Sequence, residues 1–130
     1  MNLELQKSKK FGIKKQIRAF KFCFSGIIYT IKNEQSFVIE LIIGFIAIIL
    51  GLILKLNMIE WCIVCIVIGL VLSLELINTA VEAVVDLVTK DKKELAKIAK
   101  DTSAGAVLVM AIVSVIVGII IYLPKIISLF

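Results

Sequence analysis

The sequence predicts an all-α integral membrane protein: three transmembrane helices preceded by an N-terminal amphipathic surface helix. Three observations lead there. The 130 residues are 61% hydrophobic, with a mean hydropathy of +1.09, well beyond the roughly half-apolar balance of soluble domains. Three apolar stretches approach or exceed the ~20 residues that cross a bilayer. Lys and Arg gather almost entirely in two segments that alternate with those stretches. This length predicts one membrane domain spanning 1–130, without linker or internal repeat.

Residues 1–36 are expected to form the cytoplasmic surface helix. Between Lys9 and Lys32, Phe11, Ile13, Ile17, Phe20, Phe24, Ile27, Ile28 and Ile31 interleave with Lys14, Lys15, Arg18 and Lys21. That pattern suits a helix lying in the membrane surface with its basic side towards headgroups. The segment has neither a continuous apolar core nor a small-residue cleavage site, so it does not read as a cleavable signal.

The first span is expected over 37–56, broken only by Glu40 near its start. Lys55-Leu56-Asn57-Met58 links it to the second, over 59–88, which is apolar to Leu74 and then carries spaced polar residues. The basic segment Thr89 to Asp101 reads as the next loop. The third span is expected over 104–123, with Pro124 at its end.

Charge sets the orientation. Of fifteen Lys and Arg residues, eight lie between Lys7 and Lys32 and five between Lys90 and Lys100. The positive-inside rule puts both segments in the cytoplasm and the C-terminus outside. Trp61 and Tyr122 then fall near the outer interface. The net charge of +5 thus points to anionic lipid headgroups and an anionic substrate, not to nucleic acid. Cys23, Cys62 and Cys65 offer no disulfide framework; Cys62 and Cys65 read as helix-packing residues inside the second span. The chain has no histidine, so any acid–base chemistry must rest on carboxylates.

The informative segment is Glu75-Leu-Ile-Asn78-Thr-Ala-Val-Glu82-Ala-Val-Val-Asp86. Its polar residues recur at i, i+3, i+7 and i+11, which at about 100° per residue confines them to one stripe about 80° wide. Glu75 lies about 21 Å along the helix from Trp61, inside the hydrocarbon thickness of about 30 Å. An ionisable group at depth costs about 2.5–3.5 kcal/mol, and crowded carboxylates repel unless a cation or proton intervenes. Glu34, just ahead of the first span, and Lys100-Asp101, ending the second basic segment, belong to the same face. Oxygen-only ligands select a hard cation, and Mg²⁺ typically takes one or two carboxylates together with substrate phosphates. Spacing alone therefore indicates a metal-dependent site at the inner interface. No Walker A or kinase glycine loop is present.

Glu75, Asn78, Glu82 and Asp86, followed by Ala99-Lys100-Asp101 and preceded by Asn33-Glu34, resemble the prokaryotic integral-membrane diacylglycerol kinase and undecaprenol kinase family, from about Lys14 to Leu123. The resemblance implies MgATP-dependent phosphorylation of a lipid hydroxyl by a homotrimer with active sites between subunits. It implies that Glu75 is the general base and that Asn78 orients groups beside it. Glu34 and Glu82 would hold Mg²⁺ with the ATP phosphates, and Lys100 and Asp101 would contact the nucleotide. Lys15 matches an ATP-contacting position in charge, and Asp91-Lys92-Lys93 aligns with a nucleotide-side segment. Phe22 stands where some members have tyrosine and lacks the hydroxyl. Ser103-Ala-Gly-Ala-Val-Leu and Ile121-Tyr-Leu-Pro-Lys are more similar to the Gram-positive undecaprenol kinase branch than to the diacylglycerol kinase branch, so undecaprenol is the expected acceptor in a bacterial plasma membrane.

A proton-coupled transporter is the rival reading. It needs a carboxylate near midplane reachable from both sides, whereas these carboxylates cluster towards one interface with basic partners.

Overall fold

The computed structural model describes residues 12–130. Within them the order is α1 (Ile13–Asn33), α2 (Gln35–Ile53), α3 (Met58–Val88) and α4 (Glu94–Ile127). The last three are each long and apolar enough to cross a bilayer. The chain divides after Asn33 into two units. The first contains α1, in which the Thr30 hydroxyl and the Asn33 amide each donate to a carbonyl one turn earlier. The part of the expected surface helix before Gly12, with Lys9 and Phe11, lies outside the described residues.

Glu34 has extended backbone (φ −115°, ψ 105°) and serves as the N-cap of α2. α2 ends, after the last helical bond from Leu54 N–H to Leu50 O at 2.8 Å, in the 6→1 bond of a Schellman-type turn, Leu56 N–H donating to Gly51 O at 3.1 Å. The left-handed residue this turn needs is Lys55, at φ 56°, a conformation that disfavours a side chain. Gly51 is required by packing. A Cβ there would lie 2.8 Å from the Trp61 ring, so glycine allows α2 and α3 to meet closely.

α3 opens on a capping box, with Asn57 Oδ1 accepting from Glu60 N–H and Glu60 Oε2 accepting from Asn57 N–H, both at 2.9 Å. Glu60 also pairs with Lys125 at 3.2 Å, which ties the start of α3 to the end of α4. Nearby, the Tyr122 hydroxyl donates to Ala47 O at 2.7 Å. α3 is the central helix, packed on α2 and α4.

Two sequence expectations change here. The loop expected over 89–101 shrinks to 89–93, because α4 begins at Glu94, ten residues before the apolar run at Ala104. Glu94 sits in the positively polarised first turn, and Lys97 pairs with Asp101 one turn on at 2.6 Å. At about 1.5 Å per residue the helix is roughly 50 Å long, more than the hydrocarbon requires, so its polar turns project beyond the lipid. At the other end α4 continues past Pro124 to Ile127. A proline in the last turn forfeits one hydrogen bond without stopping the helix.

The core is thin. Leu56, Val64 and Ile121 are buried, with Trp61, Ile68, Val117 and Tyr122 packed against them. Ile42, Phe45, Ile66, Leu108, Ile116 and Ile120 are exposed on the helices. So much outward apolar surface belongs in a bilayer or against neighbouring protein.

Candidate active site

The polar stripe of α3 becomes more exposed along its length. Glu75 is 3% exposed and Asn78 is 7% exposed, Glu82 is half-buried, and Asp86 is open. Helical periodicity places all four on one face, and partners from both neighbouring helices meet them there.

Glu75 is held at two points. Thr79 Oγ1 donates to its main-chain carbonyl at 3.0 Å, and Ser36 Oγ in the first turn of α2 donates to its Oε1 at 3.1 Å. Oε2 makes no hydrogen bond among the described residues. Asn78 is held at both ends of its amide. Its Oδ1 accepts from Ser103 Oγ on α4 at 2.6 Å, and its Nδ2 faces Glu82 Oε1 at 3.4 Å. Ser103 Oγ also lies 3.0 Å from the Lys100 carbonyl, so this hydroxyl joins the Lys100 turn to the stripe.

Glu34 makes no side-chain cap for α2, which leaves its carboxyl to the site. Burial first, then the charges of Glu82 and Glu75, push this carboxyl above its usual range. The structure thus brings Glu34 within electrostatic reach of both Glu75 and Glu82. Among the described residues no three His, Cys, Asp or Glu side chains form a ready-made metal cage. A pair of carboxylates that also needs phosphate oxygens has the donor set that suits Mg²⁺.

The basic partners lie beyond Glu82. Lys100 Nζ pairs with Asp86 Oδ1 at 2.6 Å. A hollow of about 620 Å³ is lined by the charged residues Asp86, Lys90, Asp91, Lys92, Lys93, Glu94, Lys97, Lys100 and Asp101, a size within the range of small-ligand pockets. Asp91, Lys92, Lys93, Lys100 and Asp101 therefore share one surface, and Asp86 joins them as the partner of Lys100. Lys15 and Phe22 lie on α1, in the other unit. On the lipid side, a cavity of about 610 Å³ runs between α2, α3 and α4, lined by apolar side chains together with Glu40, Ser114 and Tyr122. Glu40 Oε2 is buried there without a hydrogen-bond partner among the described residues.

Sequence reasoning gave neither Ser36 nor Ser103 a part in the site; Ser103 entered only as the first residue of the segment that resembles the undecaprenol kinase branch. Ser103 falls one turn after Lys100, and Ser36 two residues after Glu34. Those spacings are the only signal the sequence contained.

The prokaryotic diacylglycerol kinase family pattern matches residues 21–122. The chain is 39% identical over 108 residues to the undecaprenol kinase of Bacillus subtilis (strain 168), covering 83% of this chain and 88% of that protein. It is 42% identical over 112 residues to a diacylglycerol kinase of Synechocystis sp. (strain ATCC 27184 / PCC 6803 / Kazusa), covering 85% of this chain and 64% of that protein.

Proposed function

This chain belongs to the prokaryotic diacylglycerol kinase family and is a multi-pass membrane lipid kinase, and from that premise we propose that it transfers the γ-phosphate of ATP to the hydroxyl of undecaprenol at the cytoplasmic face. The gathering of Glu34, Glu75 and Glu82 from two helices carries this reading. Three carboxylates on two adjoining elements call for a cation, and the hollow that begins at Asp86, one turn past Glu82, brings five lysines that can meet polyphosphate oxygens.

Glu75 is the general base. Its Oε2 takes the proton of the lipid hydroxyl as the oxygen attacks the γ-phosphorus. The new O–P bond forms, the bond from the γ-phosphorus to the bridging oxygen breaks, and ADP leaves with that electron pair. Glu34 and Glu82 are the residues that hold Mg²⁺; when bound, the ion supplies charge neutralisation for the phosphates. Asn78, fixed by Ser103 and Glu82, keeps the stripe in register. Lys100 exchanges Asp86 for phosphate oxygen when the nucleotide arrives. Asp101, Asp91, Lys92 and Lys93 complete the nucleotide contacts.

The undecaprenol assignment follows the relative matched over 88% of its length. We also propose a homotrimer, with N-terminus inside and C-terminus outside. A polar stripe flanked by only two other spans needs neighbouring subunits to shield it from lipid. Parallel phosphorylation assays with undecaprenol and diacylglycerol in mixed micelles test the acceptor. Faster turnover of diacylglycerol overturns that part of the reading.

A further inference from the structure

We propose that Ser36 is a positioning residue for the general base, setting which oxygen of Glu75 receives the substrate proton. This rests on the reading of Glu75 as the base. A glutamate has three rotatable side-chain bonds, and the last, which sets the carboxylate plane, has broad, soft preferences. Burial alone therefore does not aim its oxygens.

The other hydrogen bonds nearby do not aim them either. Thr79 bonds only to the Glu75 main chain, and the Asn78 amide is engaged by Ser103 and Glu82. Ser36 supplies the remaining contact, donating to Oε1 at 3.1 Å from a different helix. One oxygen of the carboxylate is occupied and the other left for the acceptor hydroxyl.

The location of Ser36 adds a second effect. It stands in the first turn of α2, two residues after Glu34, the N-cap of that helix. The contact therefore ties the base to the turn that also carries a proposed metal ligand. Attacking oxygen and phosphorus must meet in line, and a misplacement of about 1 Å can cost on the order of 100-fold in rate. One rigid turn that fixes both Glu34 and the Glu75 carboxylate limits such error. The same turn presents unpaired N–H groups, whose polarity favours a negative charge beside them.

The test measures kcat, KM for the lipid and MgATP affinity in Ser36→Ala, Ser36→Thr, Glu75→Gln and the Ser36→Ala/Glu75→Gln pair. Ser36→Ala is expected to lower kcat about tenfold while leaving MgATP affinity within about twofold, since a hydrogen bond to a charged group is lost away from the nucleotide. Ser36→Thr keeps the hydroxyl and should recover most of the rate. In the Glu75→Gln background, Ser36→Ala should add nothing. Wild-type kcat in Ser36→Ala, or a threonine variant no better than alanine, refutes the role of Ser36 while an inactive Glu75→Gln leaves the base reading intact. Turnover retained in Glu75→Gln removes the base reading, and this inference with it.

Discussion

Ser103 Oγ on α4 donates to Asn78 Oδ1 on α3 across 2.6 Å. That bond fixes which way the amide faces, and so directs Nδ2 towards Glu82, 3.4 Å away. A nucleotide-side helix and a proposed metal ligand are thereby joined through one buried side chain. Removing the hydroxyl leaves an amide oxygen without its partner, at a cost of about 1–3 kcal/mol for a buried acceptor. Ser103→Ala should lower stability in detergent by about that amount and raise KM for MgATP several-fold, measured by denaturant unfolding and steady-state kinetics.

Glu75→Gln removes the proton acceptor and keeps the size and hydrogen-bonding capacity of the side chain. Turnover should fall by about 10²–10⁴-fold, the usual contribution of general base catalysis. Nucleotide affinity, measured by equilibrium binding to the protein in micelles, should remain near wild type.

The pH dependence of Glu34 has a definite sign. Its carboxyl is raised above the ordinary carboxylate range by burial and by Glu82 and Glu75. An acid whose folded-state pKa is raised contributes its stability at low pH and loses it as pH rises through the folded value. Without divalent cation, wild type should therefore lose stability relative to Glu34→Gln as pH rises above about 4.5, the ordinary carboxylate range. Mg²⁺ with nucleotide should offset that loss in wild type and not in Glu34→Gln. Thermal unfolding of both proteins across pH checks this.

The stripe and the three spans were legible in the sequence because each has a period or a length that physics fixes. Glu75, Asn78, Glu82 and Asp86 recur at helical spacing, and an apolar run must match the bilayer. The start of α4 was not legible, since Glu94, Lys97, Lys100 and Asp101 break up Leu95, Ala96, Ile98 and Ala99, and a continuous apolar run marks only the lipid-embedded part of a helix. Ser36 and Ser103 were hidden for another reason. A helical serine usually bonds its own backbone, as Ser114 does to Ala111 O at 2.7 Å. Only the packing of α2 and α4 on α3 turns those two serines towards side chains of the stripe.

Lys55 offers a prediction separate from the chemistry. Its left-handed backbone, φ 56°, suits glycine, so Lys55→Gly should stabilise the fold by up to about 1 kcal/mol. Activity should be unchanged, because the turn lies at the opposite end of α2 from Glu34. Chemical denaturation and a standard kinase assay read both quantities.

The proposed trimer is checked by native mass measurement in mild detergent alongside activity. An active species of three chains is expected, and a fully active monomer contradicts the shielding argument.

The most direct test follows labelled phosphate from ATP to undecaprenol in mixed micelles, with and without Mg²⁺, for wild type, Glu34→Gln and Glu82→Gln. Wild type should form undecaprenyl phosphate only when Mg²⁺ is present. Each variant should require much more Mg²⁺ to reach a lower rate. Metal-independent transfer by wild type, or an unchanged Mg²⁺ requirement in both variants, would contradict the claim that these carboxylates gather around a divalent ion to phosphorylate a lipid.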